Sequence, residues 1–191
     1  MKKINLFSAF AVLWILIFSI GADESFSKDL VSKDEALKKI FQQATSFESQ
    51  DLVLSDAQIN SIEEKAQVFF DRSYLRNIHM VAAKKDGQVL GFALEDTVIG
   101  KWGPIHYLVG LNTDGIIREV IVLDYQEIRG RPIAKKRFLR QYQKKNITDP
   151  IKLRSDIDGV TGATISSRSI TDGIRKDLFI FQELKGTMNG L

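Results

Sequence analysis

Hydrophobic positions recur with a helical period in the first third of the chain. Across residues 34–50 they are separated by three or four positions, and Ser32 followed by Glu35 forms a capping-box pattern at the start. This spacing predicts an amphipathic helix. After Ser55 a second apolar set with similar spacing predicts another helix. Its members are Ile59, Ile62, Ala66, Phe69 and Phe70.

From residue 78 onward the pattern changes to apolar runs that are separated by polar turns. One pair of runs spans residues 78–94 around Asp86-Gly87, and a second spans residues 105–123 around Asn112–Gly115. Turns that end in glycine between apolar runs are typical of β-hairpins. The repetition predicts an antiparallel sheet with one covered face.

Two further helices are predicted towards the C-terminus. Residues 134–143 combine an apolar stripe with a basic opposite side, and apolar residues step by four, four and three from Ile170 to Phe181. The order is helix, helix, two hairpins, helix, helix. The predicted fold class is therefore α+β, with an antiparallel sheet of two or more hairpins, helices packed on one face, and a small helical N-terminal extension.

The first 22 residues have the pattern of a targeting segment. Two lysines precede a largely apolar stretch over residues 4–20, and the small residues Gly21 and Ala22 follow. This pattern predicts an exported, periplasmic or otherwise extracytoplasmic protein. A cleaved signal peptide and a retained membrane anchor are both compatible with it.

Charge divides the remaining chain into two parts. Residues 23–71 contain 11 acidic and 5 basic side chains, whereas residues 72–191 contain 13 acidic and 20 basic ones. We predict an acidic helical extension over 23–71, a main domain over 72–185, and a tail over 186–191. A chain of 191 residues with 44% hydrophobic composition is long enough for one substantial core.

Cysteine is absent from the whole chain, and its only histidines are His79 and His106. The sequence therefore excludes disulfides, thiolate-bound iron–sulfur clusters and Cys-x-x-Cys-His haem attachment. Neither histidine has a ligand-type neighbour at helical or hairpin spacing, so no metal site is predicted. Nucleic acid is not expected as a partner of an exported protein.

Residues 129–145 contain eight basic and no acidic side chains. Such a run most often forms a solvated helix face whose long side chains reach the solvent. Two functional interpretations remain open beside this one. The run is also compatible with a docking patch for an acidic partner or with a surface that binds anionic lipid headgroups.

The stretch Asp158–Ser169, DGVTGATISSRS, places many small and hydroxylated residues just before the last predicted helix. In one interpretation Thr164, Ser166 or Ser167 is an ordinary N-cap. In the other, the glycine- and alanine-rich loop presents free backbone N–H groups to an anion at the helix start. The chain lacks the P-loop and Gly-x-Gly-x-x-Gly patterns, so free nucleotide binding is poorly supported. A threonine at this position is instead a candidate for covalent phosphoester attachment.

The segment Asp158–Thr164, DGVTGAT, resembles the flavinylation motif Asp-x-x-Ser/Thr-Gly-Ala-Thr/Ser of the FMN-binding domain family. That domain occurs in the C and G subunits of bacterial sodium-pumping and Rnf electron-transfer complexes and in small exported flavoproteins. The resemblance implies that Thr164 carries FMN through a phosphoester, installed by a flavin transferase that uses FAD. It further implies cofactor-binding roles for Asp158, Thr161, Gly162, Ala163 and Ser166.

The resemblance extends more weakly over residues 78–184. It includes Gly103-Pro104-Ile105 at a strand start, the 112–117 turn, and Glu127-x-Arg129-Gly130, whose three named residues are also implied to bind the cofactor. The larger complexes usually have Thr-Pro-Gly where this chain has Ile-Arg-Gly. This difference favours a small stand-alone member, with residues 72–185 as its FMN-binding domain.

The expected function is that of an exported, covalently flavinylated electron carrier between redox partner proteins, with membrane-bound proteins among the candidate partners. Two alternatives remain: a flavin-dependent reductase of a small acceptor, and a non-redox binding or assembly module. Arg129 and Arg131 are candidates for stabilising reduced flavin or are ordinary surface charges. Trp102, Tyr107 and Tyr125 are candidates for ring stacking or are simply core and sheet residues.

Overall fold

The computed structural model describes residues 30–69, 77–125 and 131–186. An antiparallel five-stranded sheet forms its centre, and the strands lie in the order in which they occur along the chain. The strands are β1 (Ser46–Val53), β2 (Asn77–Lys85), β3 (Gln88–Ile99), β4 (Pro104–Leu111) and β5 (Ile117–Tyr125). The helices are α1 (Lys33–Ile40), α2 (Asp56–Ala66), α3 (Lys136–Leu139) and α4 (Thr164–Leu184).

Both predicted hairpins are present and their turns have the expected chemistry. Asp86 and Gly87 both adopt positive φ, 51° and 80°, as a two-residue turn between twisted strands requires. In the second hairpin, the Asn112 side chain accepts hydrogen bonds from the backbone N–H groups of Asp114 and Ile116. The α+β class is therefore confirmed, and local turn chemistry sets the register of β2 with β3 and of β4 with β5.

The larger core lies between the sheet and the helices α2 and α4. Buried side chains from all three meet there, including Ile59 on α2, Tyr107 on β4 and Ile174 on α4. Arg175 of α4 also donates hydrogen bonds to the carbonyl groups of Ala66 and Asp149. Helix α4 is thus held against both the sheet and the end of α2.

The structure differs from the sequence prediction in having a helix on the opposite face of the sheet as well. Helix α1 buries Ala36, Leu37 and Ile40 against the side of the sheet that faces away from α4. The covered side chains of the sheet are Val81, Ala83, Ala93, Leu108, Ile121 and Leu123. Both faces of the central strands are therefore covered, which explains why their apolar runs are nearly continuous.

The N-terminal extension contains the two predicted helices and a strand that was not predicted. The helix expected over residues 34–50 ends at Ile40, and Ser46–Val53 pairs with β2 along its whole length. Six of the eight β1 side chains are exposed. Phe47 and Leu52, its main apolar residues, contact opposite faces of the sheet. Phe47 fits the helical spacing of the apolar residues before it, although it lies in a strand.

An ionic cluster joins α1 to the sheet. Lys33 Nζ lies 2.5 Å from one Glu95 carboxylate oxygen, and His106 Nε2 lies 2.8 Å from the other. The hydrogen bond with His106, assisted by Lys33, lowers the pKa of Glu95 to about 2, although burial acts in the opposite direction. The same hydrogen bond raises the pKa of His106 above its usual value despite partial burial.

The helix predicted over residues 134–143 is broken into short pieces. A 3-10 turn over Arg131–Ala134 precedes α3, and another over Arg140–Tyr142 follows it. The break occurs at Lys135, whose backbone is extended. The predicted apolar side is confirmed, because Phe138, Leu139 and Tyr142 are buried. We call residues 131–145 the basic segment.

Several predictions fall outside the described residues. They are the targeting segment over residues 1–22, the C-terminal tail from residue 187, and the loop that contains Glu127, Arg129 and Gly130. Across residues 30–69, 77–125 and 131–186, no helix is long and apolar enough to span a bilayer.

Candidate functional site

The hydroxyl-rich stretch leads directly into the longest helix that the structure describes. Helix α4 has 21 residues and begins at Thr164, with Ala163 at the N-cap position and no side-chain capping bond. Thr164 is exposed, and its hydroxyl forms no hydrogen bond with any described residue. The interpretation of Thr164 as an N-cap is therefore wrong.

Two other hydroxyls of this stretch hold the surrounding loops. Ser166 is buried, and its Oγ accepts a hydrogen bond of 3.2 Å from the backbone N–H of Lys101. Ser167 is also buried, and its Oγ accepts a hydrogen bond of 3.1 Å from the backbone N–H of Val160. Both serines therefore fix loop backbone around the start of α4, and neither caps the helix.

Backbone N–H groups at the start of α4 are available to an anion. Ser167 donates the first intrahelical bond, to the carbonyl of Ala163, so the N–H groups of Thr164 and Ile165 precede the first bond of the helix. Gly162 adopts a φ of +82°, and no atom lies within 4 Å of where its Cβ would be. The positive end of the helix dipole adds to this environment. The geometry fits a phosphate group next to the Thr164 hydroxyl.

The first part of the motif is held by a residue that the sequence analysis did not identify. Gln141 accepts a hydrogen bond of 2.8 Å from the backbone N–H of Asp158 and donates one of 3.1 Å to its carbonyl. The Asp158 side chain itself is exposed. Gln141 is 17 positions from Asp158 in the chain, so no local pattern indicated this contact.

Tyr142 connects the basic segment to α4 itself. Its buried hydroxyl lies 2.8 Å from Thr171 Oγ1, which donates a hydrogen bond of 2.6 Å to the Ser167 carbonyl. Because that hydrogen is committed, Tyr142 is the donor to Thr171. Burial raises the pKa of Tyr142 well above its usual value, so the hydroxyl keeps its proton.

A groove of about 550 Å³ lies between the basic segment and the motif loop. One wall contains Lys135, Arg137 and Gln141, and the other is the motif stretch from Asp158 to Thr161. The exposed Thr161 therefore faces a basic groove. Gly159 in the same wall packs next to Leu153, which leaves little room for a larger residue.

Of the three aromatic residues considered for ring stacking, Trp102 alone is exposed. Its exposed fraction is 59%, whereas Tyr107 and Tyr125 are buried in the core. Lys101 Nζ lies 4.9 Å from the Trp102 ring centroid, and the backbone of Lys101 is bonded to Ser166. An exposed indole with a nearby cation therefore lies on a loop that contacts the first turn of α4.

A buried polar cluster attaches the middle of α4 to the sheet. Lys176 Nζ lies 2.6 Å from Asp96 Oδ2, and the Tyr107 hydroxyl lies 2.7 Å from Asp96 and 2.9 Å from Asp177. Gly173 permits this approach, since a Cβ there would lie 2.4 Å from the Tyr107 hydroxyl oxygen. This cluster too was not predicted, because its residues come from three separate elements.

Burial and charge act differently on the members of this cluster. Burial raises the pKa of Asp177 well above its usual value, and the nearby Asp96 carboxylate acts in the same direction. Burial alone would lower the pKa of Lys176, but the adjacent Asp96 carboxylate acts in the opposite direction, and the pKa of Lys176 lies above its usual value. The cluster therefore contains a charged lysine and a carboxyl group that resists ionisation.

The part of the chain that contains this site is similar to known proteins. Residues 100–178 match the family model of the FMN-binding domain. A relative, the G subunit of the ion-translocating oxidoreductase complex of Erwinia tasmaniensis, is 26% identical over 125 residues, 59% of this chain and 60% of that protein. The G subunit of the Na(+)-translocating ferredoxin:NAD(+) oxidoreductase complex of Acetobacterium woodii is 22% identical, over 56% of each chain.

The fold itself has a relative among solved structures. The crystal structure of NqrC from Shewanella oneidensis superposes with a TM-score of 0.54 at 15% sequence identity, covering 85% of this chain and 92% of that one. The chain matches only about six-tenths of the length of the two oxidoreductase-complex relatives. The family match, in contrast, includes the whole motif from Asp158 to Thr164.

Proposed function

We propose that this chain, whose residues 100–178 match the family model of the FMN-binding domain, carries FMN covalently on Thr164 and relays electrons between redox partners outside the cytoplasm. One observation carries the proposal. Thr164 is exposed at the first residue of α4, in the Asp-x-x-Thr-Gly-Ala-Thr pattern, and no described residue occupies its hydroxyl.

The attachment reaction transfers the FMN half of FAD to Thr164, with AMP as the leaving group. The Thr164 Oγ1 forms a bond to the phosphorus on the flavin side of the diphosphate, and the bond from that phosphorus to the bridging oxygen breaks. AMP leaves with the bridging oxygen, and the proton of the hydroxyl passes to a base on the flavin transferase. The chain itself contributes the nucleophile and an accessible loop around it, which the open space at Gly162 supports.

The residues present suit a phosphate ester at this position. The N–H groups of Thr164 and Ile165 in the first turn and the helix dipole stabilise negative charge. Arg168, one helical turn after Thr164, is exposed and adds a positive charge on the same side of the helix. The ties from Ser166 to Lys101 and from Ser167 to Val160 hold the surrounding backbone in place.

The side chains near the start of α4 also offer contacts for an aromatic ring. Trp102 and Ile165 are both exposed, and Lys101 supplies a cation close to the indole. When bound, FMN supplies one- and two-electron transfer at its isoalloxazine ring. In this proposal Trp102 limits ring mobility by stacking, and Lys101 favours negative charge on the ring.

The names of two relatives support the proposal that this chain exchanges electrons with other proteins. Both relatives are subunits of oxidoreductase complexes, as their names state. We extend to this chain a role in passing electrons to or from other proteins, some of them membrane-bound. Export by residues 1–22 belongs to the same proposal, because a permanently attached cofactor is not lost where FMN is scarce.

The test is intact mass of the denatured protein from its native host, with in-gel flavin fluorescence. The wild-type chain should gain the mass of FMN less one water, and the added mass should map to the peptide that contains Thr164. Thr164→Ala should remove both signals and Thr164→Ser should retain them. Ser169→Ala is the matched control, because it removes another hydroxyl near the start of α4.

Three results separate the proposal from its alternatives. Flavin that survives denaturation in Thr164→Ala would place the attachment elsewhere. Unmodified wild-type protein from a host with an active transferase would leave a non-redox module as the explanation. Rapid turnover of a small acceptor by the flavinylated protein alone would favour a reductase over an electron carrier.

A further inference from the structure

Strand β5 forms one edge of the sheet and is only partly covered on its outer side. The backbone N–H of Leu30 donates to the Leu123 carbonyl at one end, and Ile117 exchanges backbone hydrogen bonds with Lys144 and Lys145 at the other. Between these contacts, residues 119–122 have no neighbouring strand among the described residues. Every second residue of an edge strand directs its N–H and C=O outward.

A groove of about 640 Å³ runs beside this uncovered stretch. Lys39 of α1 and the residues that flank this helix, Leu30, Val31 and Gln42, form one wall, and the basic segment forms the other. Val120, Val122 and Leu139 supply apolar surface. Four residues of strand are about 13 Å long at 3.3 Å per residue. The groove thus offers a short length of backbone pairing surface next to apolar side chains.

Basic side chains dominate the polar part of the groove. Lys39 is paired with Glu119 at 2.8 Å, the acidic residue that lines the groove. Lys135, Lys136 and Arg140 are exposed and form no ion pair with any described residue. The groove therefore carries a net positive charge that a partner with carboxylates would complement.

The opposite edge of the sheet, formed by β1, differs from the β5 edge in its exposure and its charge. The outer strand β1 is mostly exposed and includes Glu48 and Asp51, whose carboxylates contact Lys84 and His79 on the neighbouring strand. Charged residues on an exposed edge are a common protection against unwanted strand pairing. Over residues 119–122 of β5 the one charged residue is Glu119, which is half-buried and paired with Lys39, and the other three side chains are buried.

We propose that β5 is a docking site for an extended, acidic segment of another polypeptide, which adds to the sheet as a sixth strand. Backbone hydrogen bonds to residues 119–122 supply affinity, and carboxylates on the segment pair with Lys135, Lys136 and Arg140. The proposal does not depend on flavin attachment. It assigns a binding function to the basic segment, whose opposite side borders the motif groove.

The test measures fluorescence anisotropy with a fluorescein-labelled octapeptide of alternating Glu and Val and the full-length chain. Two isomers of the peptide are N-methylated, one at every Val and the other at every Glu. In an added strand only one set of alternate N–H groups faces β5. One isomer should therefore bind like the parent peptide. The other should bind at least about tenfold more weakly, because it loses the hydrogen bonds to the two outward-facing carbonyl groups of this stretch.

Charge reversal tests the other half of the proposal. The triple variant Lys135→Glu, Lys136→Glu, Arg140→Glu should weaken binding at least about tenfold at low salt, and the difference should shrink as salt is added. The matched control Lys38→Glu, Lys85→Glu, Lys185→Glu makes the same change in net charge at exposed positions outside the groove. It should bind like the wild type. Circular dichroism verifies that both triple variants are folded.

Several outcomes would overturn the proposal. Equal affinity of the two N-methylated isomers, whether high or low, would mean that β5 does not pair with the peptide. Equal weakening of peptide binding in both triple variants would mean that only the net charge of the chain matters, and not the position of the basic residues in the groove. Binding that appears only after removal of residues 1–29 would show that the chain's own N-terminal segment occupies the groove.

Discussion

Replacement of Asp177 by asparagine tests whether this carboxyl is protonated in the folded protein. The Tyr107 hydroxyl has one hydrogen but lies within hydrogen-bonding distance of both Asp96 and Asp177. Both contacts are favourable only when one carboxyl also carries a proton. Lys176 contacts Asp96 at 2.6 Å and is 3.9 Å from Asp177, so Asp96 is the better place for the negative charge. Asp177 therefore holds the proton.

The expected effect on stability follows from proton linkage. An aspartate in the unfolded chain ionises near pH 3.9, whereas burial raises the pKa of Asp177 in the folded state. A raised folded pKa gives stability that is fully present below the unfolded pKa and is lost as pH rises towards the folded pKa. The free energy of unfolding falls by about 1.4 kcal/mol for each pH unit over which only the folded state keeps the proton. The wild type should therefore lose stability as pH rises from 5 to 7, relative to a variant that has no titratable group at this position.

The Asp177→Asn variant removes this pH dependence. Its carboxamide donates to the Tyr107 oxygen in place of the carboxyl proton, so the stability of the variant relative to the wild type should increase steadily from pH 5 to pH 7. Urea unfolding at pH 5, 6 and 7, followed by circular dichroism, measures the difference. All other carboxyl groups contribute to both proteins, and their effects cancel in the comparison.

Asp86→Asn is the matched control, because it removes a carboxyl that is exposed in the turn between β2 and β3. A stability difference between Asp177→Asn and the wild type that stays constant from pH 5 to pH 7 would refute the assignment of the proton. In that case Asp177 would be charged within the fold, and Tyr107 would donate to one carboxylate while merely touching the other.

Three further changes test how the site is supported. Gln141→Leu removes both hydrogen bonds to the Asp158 backbone and should cost about 1 to 2 kcal/mol in urea unfolding, with a smaller flavinylated fraction by intact mass. Gly173→Ala should cost about 1 to 2 kcal/mol, because overpacking outweighs the better helix propensity of alanine; increased stability would contradict the close contact. His106→Gln should cost under about 1 kcal/mol near pH 6, since the pair with Glu95 is partly exposed. That difference should vanish as pH rises through the raised pKa of the histidine, and a difference that persists to alkaline pH would exclude the ion pair as its cause.

The elements that sequence predicted well depend on neighbouring residues. The two hairpins follow from apolar runs on either side of Asp86-Gly87 and Asn112–Gly115, whose turn conformations need no distant contact. Helix α4 likewise follows from its own apolar spacing. Strand β1 depends instead on β2, whose register places Ser46 opposite Lys84. Because its few apolar residues face both sides of the sheet, β1 has no alternating pattern to recognise.

The candidate site shows the same division between local and distant information. The Asp158–Thr164 motif predicted, from one continuous stretch, a loop that ends at a helix start. Its supports come from elsewhere in the chain, because Lys101 is 65 positions from Ser166 and Gln141 is 17 positions from Asp158. Neither Gln141 in the basic segment nor the backbone N–H of Lys101, between β3 and β4, belongs to a sequence pattern that would indicate its role. Only the folded chain shows which motif groups they hold.

These supports explain why the motif region is so rich in hydroxyl groups. A phosphoester needs one hydroxyl that is exposed, next to backbone N–H groups whose positions do not change. The hydroxyl groups of Ser166 and Ser167 are buried and accept hydrogen bonds from the two loops that flank the helix start, while that of Thr164 has no such partner among the described residues. Replacing either serine by alanine would leave a partly buried loop N–H without this acceptor. The serines thus hold the loops in place, and Thr164 keeps the exposed hydroxyl that the proposed attachment requires.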